Sequence, residues 1–117
     1  MGAYTIFIVE DDDWYGEILQ YHLSLNPDYQ VFLFKTAKEC LSKMSLRPDL
    51  ITLDFSLPDI TGDKLFKKIR EINAAIPVIM ISSQEDISVA VNLLKMGVND
   101  YLIKVEATKV LLWNSVI

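Results

Sequence analysis

The chain has 117 residues, 51% of them hydrophobic, and a formal net charge of −5 at pH 7. These values predict one domain with a sizeable core and argue against direct nucleic-acid binding, which favours a basic face. No apolar run approaches the ~20 residues of a membrane span. A single cysteine excludes an internal disulfide and, without a signal sequence, predicts a cytoplasmic location.

Five apolar runs rich in Val, Ile and Phe are separated by segments with helical periodicity. Most of the runs are unbroken, which is typical of strands buried on both faces of a parallel sheet. The predicted strands are Tyr4–Val9, Gln30–Phe34, Leu50–Asp54, Val78–Ser82 and Tyr101–Lys104. The predicted apolar helix faces comprise Ile18, Leu19 and Leu23; Cys40, Leu41 and Met44; Leu65, Phe66, Ile69 and Ile72; and Val89, Ala90, Leu93 and Leu94.

Residues that typically begin or end helices agree with these boundaries. Asp12 or Asp13 is placed to cap the first helix, and Gly97 stands where a helix C-terminal cap is expected. The last segment, 106–117, has a helical pattern and ends without a stop signal. We therefore treat 1–117 as one domain, and this ending allows that it is a piece cut from a longer protein.

Alternating strands and helices predict a doubly wound α/β sheet with right-handed crossovers. In such sheets ligands bind outside the carboxyl ends of the strands. Glu10, Asp11, Asp54, Ser82 and Lys104 all fall at that edge. A buried carboxylate is costly unless a metal or a cation compensates it, so this set indicates a phosphoryl-accepting site.

Taken singly, these and other residues have plainer interpretations. An acidic run such as Glu10–Asp13 is usually a solvated helix start, and a lone lysine is usually on the surface. His22, mid-helix, is interpreted as structural. We expect Cys40, Trp14 and Trp113 to be packing residues.

Taken together, the motifs resemble those of a two-component response-regulator receiver domain over nearly the whole chain. The resemblance implies a five-stranded sheet in the order 2-1-3-4-5 with helices on both faces. The matching stretches are Ile8–Asp12, Pro48–Asp54, Leu57–Gly62, Pro77–Ser83 and Gly97–Lys104.

The resemblance also implies a role for each residue at the predicted site. It implies that Asp54 is phosphorylated, that Lys104 pairs with the phosphoryl group and that the Ser82 hydroxyl contacts it. It further implies that Mg²⁺ binds Glu10, Asp11, Asp54 and the carbonyl of Ser56, and that Ser82 and Tyr101 form a switch.

The implied partners are a phosphohistidine donor, which is a sensor histidine kinase or a phosphotransfer protein, an output domain beyond Ile117, and a second copy in a homodimer.

The chain departs from the family at Val105, where proline usually follows the lysine. A cis bond before valine costs roughly 2.5–4 kcal/mol, so we expect a trans bond. The resemblance implies self-catalysed phosphorylation and dephosphorylation in a protein that is mainly a signalling switch.

Three other functions remain open on the sequence. A flavodoxin-like FMN carrier needs a Ser/Thr/Gly-rich phosphate loop after the first strand, where this chain has Glu10–Asp13. A Mg²⁺-dependent phosphohydrolase with an aspartate nucleophile usually has a second aspartate two residues later, where this chain has Ser56. A degenerate receiver used only for docking is disfavoured by the complete set of acidic residues and lysine.

Overall fold

The computed structural model describes residues 4–83 and 87–104, which alternate strictly between strands and helices. A short 3₁₀ helix, Met44–Leu46, follows the second α-helix. The elements are β1 Tyr4–Val9, α1 Asp13–Ser24, β2 Tyr29–Phe34, α2 Ala37–Ser42, β3 Leu50–Asp54, α3 Gly62–Ile72, β4 Val78–Ser82, α4 Ile87–Lys95 and β5 Asp100–Ile103.

All five strands are parallel and lie in the order β2-β1-β3-β4-β5. The order confirms the doubly wound sheet, with β1 and β3 adjacent near its centre. Asp54 lies opposite Ile81 of β4, and Ser82 lies opposite Ile103 of β5. The register therefore places the ends of β3, β4 and β5 beside one another.

The core has two parts, one on each face of the sheet. Alternate residues of β1 divide between them, since successive side chains of a strand point to opposite faces. Phe7 packs in the larger part with Phe66 of α3 and Leu93 of α4, whereas Ile8 packs in the smaller part with Leu19 of α1. Burial on both sides explains why the strand sequences are unbroken apolar runs.

The predicted caps are present at both helices. Asp12 is the N-cap of α1, where its carboxylate accepts a hydrogen bond of 3.1 Å from the amide of Tyr15. Gly97 follows α4 with a φ of 105°, a left-handed conformation that glycine adopts without strain.

Several sequence predictions were wrong in detail. β2 begins at Tyr29 rather than Gln30, and β5 spans Asp100–Ile103, so Lys104 lies just past its strand. Ile72 and Leu94, assigned to buried helix faces, are 56% and 46% exposed. Ile72 is the last residue of α3, and Leu94 directly follows Leu93, which is the buried residue of α4.

Trp14 is also not a packing residue, because 68% of its surface is exposed. Helix α1 buries Tyr15, Leu19 and Leu23, a spacing of four residues that defines its inner face. Trp14 precedes this row by one position and therefore points outward. Cys40, by contrast, is fully buried as expected.

Some predictions fall on residues that the structure does not describe. These are the helix over 106–117, Trp113 and the peptide bond before Val105. Among the residues that are described, no helix is long and apolar enough to cross a membrane.

Gly62 begins α3 at a point where the chain passes very close to the end of β3. A Cβ atom there would lie 2.6 Å from the carbonyl oxygen of Asp54 and 2.9 Å from the Cα of Phe55. Both neighbours are backbone atoms, which side-chain rotation cannot move aside. Gly16 is a useful contrast, because its nearest neighbour at 3.0 Å is a methyl carbon of the Leu33 side chain.

We predict that Gly62→Ala lowers the free energy of unfolding by about 1–3 kcal/mol, the usual cost of overpacking. Gly16→Ala should stay within about 1 kcal/mol of wild type, because the gain in helix propensity offsets a small shift of a flexible side chain. Urea unfolding followed by circular dichroism measures both. Equal losses in the two variants would contradict this assignment.

Candidate functional site

Three carboxylates converge at the carboxyl edge of the sheet. Glu10 directly follows β1, Asp11 is the next residue, and Asp54 is the last residue of β3. One oxygen from each lies within 4.8 Å of the others. Glu10 and Asp54 are only 2% and 4% exposed, whereas Asp11 is exposed. The cluster is therefore buried on the protein side and open on one side.

Lys104 supplies a positive charge to this cluster. Its Nζ lies 3.1 Å from each carboxylate oxygen of Glu10 and 3.6 Å from Oδ2 of Asp54. One ammonium faces two buried carboxylates, so the three side chains carry a net charge of −1 when all are ionised. Buried charge that is not fully compensated is costly, and the site favours a further cation.

The pKa values follow from this imbalance. Burial and, after it, the charge of Asp54 raise the pKa of Glu10 to about 8. Burial also raises the pKa of Asp54, although the hydrogen bond with Glu10 and the charge of Lys104 oppose the rise. Burial would lower the pKa of Lys104, but its contacts with Glu10 outweigh burial and raise it.

The acidic run after β1 divides into two functional pairs. Glu10 and Asp11 face the cluster, while Asp12 caps α1 and donates its amide to Oε2 of Glu10 at 3.1 Å. Asp13 forms an ion pair with Lys35 on the surface. Glu10 and Asp11 are therefore the two residues of the run that belong to the cluster.

Tyr15 is a residue of the site that sequence reasoning missed. Its hydroxyl donates a hydrogen bond of 3.0 Å to the carbonyl oxygen of Lys104, and its ring centroid lies 5.0 Å from Lys104 Nζ. The only sequence signal was a tyrosine in the first turn of α1, three residues after a capping aspartate. Nothing in that pattern identifies a partner 89 residues away.

The loop after Asp54 is held closed by backbone contacts. The amide of Ser56 donates to Oδ1 of Asp54 at 3.3 Å, and Ser56 pairs with Thr61 in an isolated β-bridge. The amide of Gly62 donates to the carbonyl of Phe55 at 2.7 Å. Ser56 is thereby kept in a short, closed loop beside Asp54.

Asp59 ties the same loop to helix α2. Its carboxylate accepts hydrogen bonds of 3.0 Å and 2.9 Å from the amides of Ala37 and Lys38. Burial acts to raise the pKa of Asp59, but these bonds outweigh it and lower the pKa. Sequence reasoning did not assign a role to this residue.

The two predicted switch residues lie on β4 and β5, the two strands that follow β3 across the sheet. Ser82 is 2% exposed at the end of β4, the strand that pairs with β3. Tyr101 lies on β5 opposite Met80, is half-buried, and packs against the larger part of the core. The structure thus brings Ser82 to the same edge as the acidic cluster and places Tyr101 on the neighbouring strand.

Carboxylate oxygens at this spacing suit Mg²⁺, which prefers hard oxygen ligands and retains several waters. A carboxylate at the end of β3 is also a possible nucleophile for a phosphoryl group, with Lys104 near enough to balance the charge. The donor set therefore fits a divalent cation and a phosphoryl group together.

Comparison with known proteins identifies a family for this chain. The sequence model described as the response regulator receiver domain matches residues 6–114. The transcriptional regulatory protein CssR of Bacillus subtilis is 36% identical over 102 residues, which cover 87% of this chain and 45% of that protein. The chain thus spans less than half the length of this relative.

Two further matches extend the comparison. The sensor histidine kinase TmoS of Ectopseudomonas mendocina is 40% identical to this chain over 83 residues. The matching segment covers 68% of this chain and 8% of that protein. The BeF3-activated N-terminal receiver domain of Klebsiella pneumoniae RstA superposes with a TM-score of 0.83 at 27% identity, covering 94% of this chain and 93% of that one.

The raised pKa of Glu10 predicts how the stability of the metal-free protein depends on pH. A carboxyl whose folded pKa exceeds its unfolded value of 4.5 stabilises the fold fully below pH 4.5 and loses that contribution as pH rises through about 8. In EDTA, the free energy of unfolding should therefore fall between pH 5 and pH 8. Glu10→Gln should flatten this decline, because glutamine does not titrate.

Urea unfolding at the two pH values measures the effect, with the exposed Glu71→Gln as the matched control. The control should keep the wild-type decline. A Glu10→Gln variant whose decline equals that of wild type would show that Glu10 titrates normally in the folded protein.

Proposed function

This chain belongs to the response regulator receiver domains, and on that premise we propose that it accepts a phosphoryl group on Asp54. Receiver domains act as phosphoacceptors in two-component signalling. The observation that carries the assignment to Asp54 is its position at the end of β3, 3.6 Å from Lys104 and within one acidic cluster with Glu10 and Asp11.

The proposed reaction is a direct phosphoryl transfer. A carboxylate oxygen of Asp54 attacks the phosphorus of a phosphohistidine, the P–N bond breaks, and an aspartyl phosphate forms while the histidine nitrogen keeps the electron pair. The donor is a sensor histidine kinase or a phosphotransfer protein. Such a reaction depends on positioning and charge stabilisation more than on covalent assistance.

Lys104 and Ser82 supply that stabilisation in the proposal. A phosphoryl group on Asp54 adds negative charge and acceptor oxygens beside the Lys104 ammonium. The ammonium then exchanges its contacts with Glu10 for phosphoryl oxygens, and the Ser82 hydroxyl donates a further hydrogen bond. Lysine suits this role because its compact charge needs no fixed bidentate geometry.

Glu10, Asp11, Asp54 and the carbonyl of Ser56 are the proposed ligands of Mg²⁺, which when bound neutralises the acidic cluster and the phosphoryl oxygens. Asp11, the exposed member, is oriented toward solvent and is the proposed principal ligand. The alternatives of an FMN carrier and a phosphohydrolase are not favoured. The family model that matches residues 6–114 describes a receiver domain and neither of these two functions.

The proposed output is a change of surface. Movement of Ser82 toward the phosphoryl group is followed by Tyr101, which alters the face formed by α4 and β5 and biases a pre-existing equilibrium. Relatives such as CssR are transcriptional regulators about twice the length of this chain, so we propose an output domain beyond Ile117. A homodimer and a cytoplasmic location complete the proposal, the latter compatible with the buried free thiol of Cys40.

We predict that incubation with acetyl phosphate and Mg²⁺ adds one phosphoryl mass to the protein and that Asp54→Asn abolishes this gain. The amide keeps the shape of the carboxylate but is not a nucleophile. Intact mass spectrometry measures the gain, and the exposed Asp28→Asn variant should be phosphorylated like wild type. A full phosphoryl mass on Asp54→Asn would place the acceptor at another residue.

We also predict that Mg²⁺ stabilises the fold by mass action. At about ten times its dissociation constant the gain is roughly 1.4 kcal/mol, a rise of a few degrees in Tm. Asp11→Asn should lose most of this gain, whereas Asp28→Asn should keep it. Thermal melts in Mg²⁺ and in EDTA test the prediction, and an equal rise for Asp11→Asn would remove that residue from the metal site.

A further inference from the structure

We infer that Tyr15 is a positioning residue for phosphoryl transfer. Its side chain contacts both the main chain and the ammonium of Lys104 and so holds this lysine in place. The inference rests on the proposed function, since it assigns to Tyr15 a part in the reaction at Asp54. The effect of Tyr15 on the reaction at Asp54 passes through Lys104.

The first contact fixes the main chain. The Tyr15 hydroxyl donates to the carbonyl oxygen of Lys104 at 3.0 Å. The last pair in the ladder between β4 and β5 joins Ser82 to Ile103, so Lys104 lies one residue past the paired strand. A hydrogen bond from helix α1 therefore anchors the lysine where the sheet no longer does.

The second contact fixes the charged end. The Lys104 ammonium lies 5.0 Å from the centroid of the Tyr15 ring, a distance at which a cation is attracted to the π-face. Tyr15 is only 6% exposed, so packing holds its ring in one place. A flexible lysine side chain thus has its reach limited from one side by the ring and from the other by Glu10.

These contacts close a ring of interactions around the site. Glu10 accepts from the amide of Asp12, Asp12 accepts from the amide of Tyr15, Tyr15 donates to the carbonyl of Lys104, and Lys104 donates back to Glu10. The ring joins the β1–α1 loop to the end of β5. These four hydrogen bonds therefore fix the distance between the Lys104 ammonium and Asp54, and charge stabilisation depends on that distance.

A tyrosine that served packing alone would affect stability but not the reaction, and a double-mutant cycle separates the two roles. Tyr15→Phe keeps the ring and removes the hydroxyl bond. We expect it to slow phosphorylation by acetyl phosphate about threefold to tenfold in the wild-type background, as loss of one hydrogen bond predicts. In the Lys104→Ala background, which has no ammonium to position, the same substitution should not slow the rate further.

Tyr21→Phe is the matched control, because Tyr21 lies on the same helix with 64% of its surface exposed. It should leave the rate unchanged. Unfolding in urea verifies that every variant is folded. An equal slowing by Tyr15→Phe with and without Lys104, or a Tyr15→Phe rate equal to wild type, would overturn the inference.

A second measurement does not depend on phosphorylation. Trace acetylation of the metal-free protein, followed by peptide mass spectrometry, reports how exposed the Lys104 ammonium is. Lys104 should react faster in Tyr15→Phe than in wild type, and faster again in Tyr15→Leu, which lacks the ring. Unchanged Lys104 reactivity in both variants would overturn the inference at the contact itself. A changed Lys104 reactivity in a wild type that accepts no phosphoryl group would instead overturn the proposed function and leave only the hold of Tyr15 on Lys104 standing.

Discussion

Two buried carboxylates that face one ammonium are the constraint on which the rest of the site depends. Glu10 and Asp54 are almost completely removed from solvent, yet Lys104 balances only one of their charges. Burial raises the pKa values of both carboxyls, which favours retention of a proton on the pair when no cation is bound. A divalent cation would replace that proton, and a phosphoryl group would attract the ammonium away from Glu10.

The fold makes this unfavourable arrangement possible because the carboxyl ends of parallel strands meet at one edge. Glu10 directly follows β1 and Asp54 ends β3, and these two strands are adjacent in the sheet. The surrounding loops are held by specific contacts, which include the close passage of Gly62 against the end of β3 and the bonds from Asp59 to α2. Apolar burial on both faces supplies the stability that the charged edge costs.

Local patterns predicted most of the fold, but not every face or contact. The unbroken apolar runs identified all five strands, because burial on both faces leaves no alternation to misread. The order of the strands came from resemblance to a family, since periodicity carries no information on which strands are neighbours. Trp14 was assigned to packing because an aromatic residue is usually buried, but its place on α1 is one position away from the inner face.

The site was predictable in its charged residues and not in its supports. Carboxylates and a lysine that follow apolar strands can be recognised in the sequence, because burying a carboxylate costs free energy unless a cation compensates it. Local patterns do not predict the roles of Tyr15 and Asp59, because their contacts reach across 89 residues and across 21 and 22 residues. We propose that Lys104 compensates the carboxylate pair and leaves Glu10 when Asp54 carries a phosphoryl group. A crystal structure with Mg²⁺ and beryllofluoride tests this exchange. Beryllofluoride should lie on Asp54 with Lys104 Nζ bonded to fluoride, and a Lys104 ammonium still bonded to Glu10 would contradict the proposal.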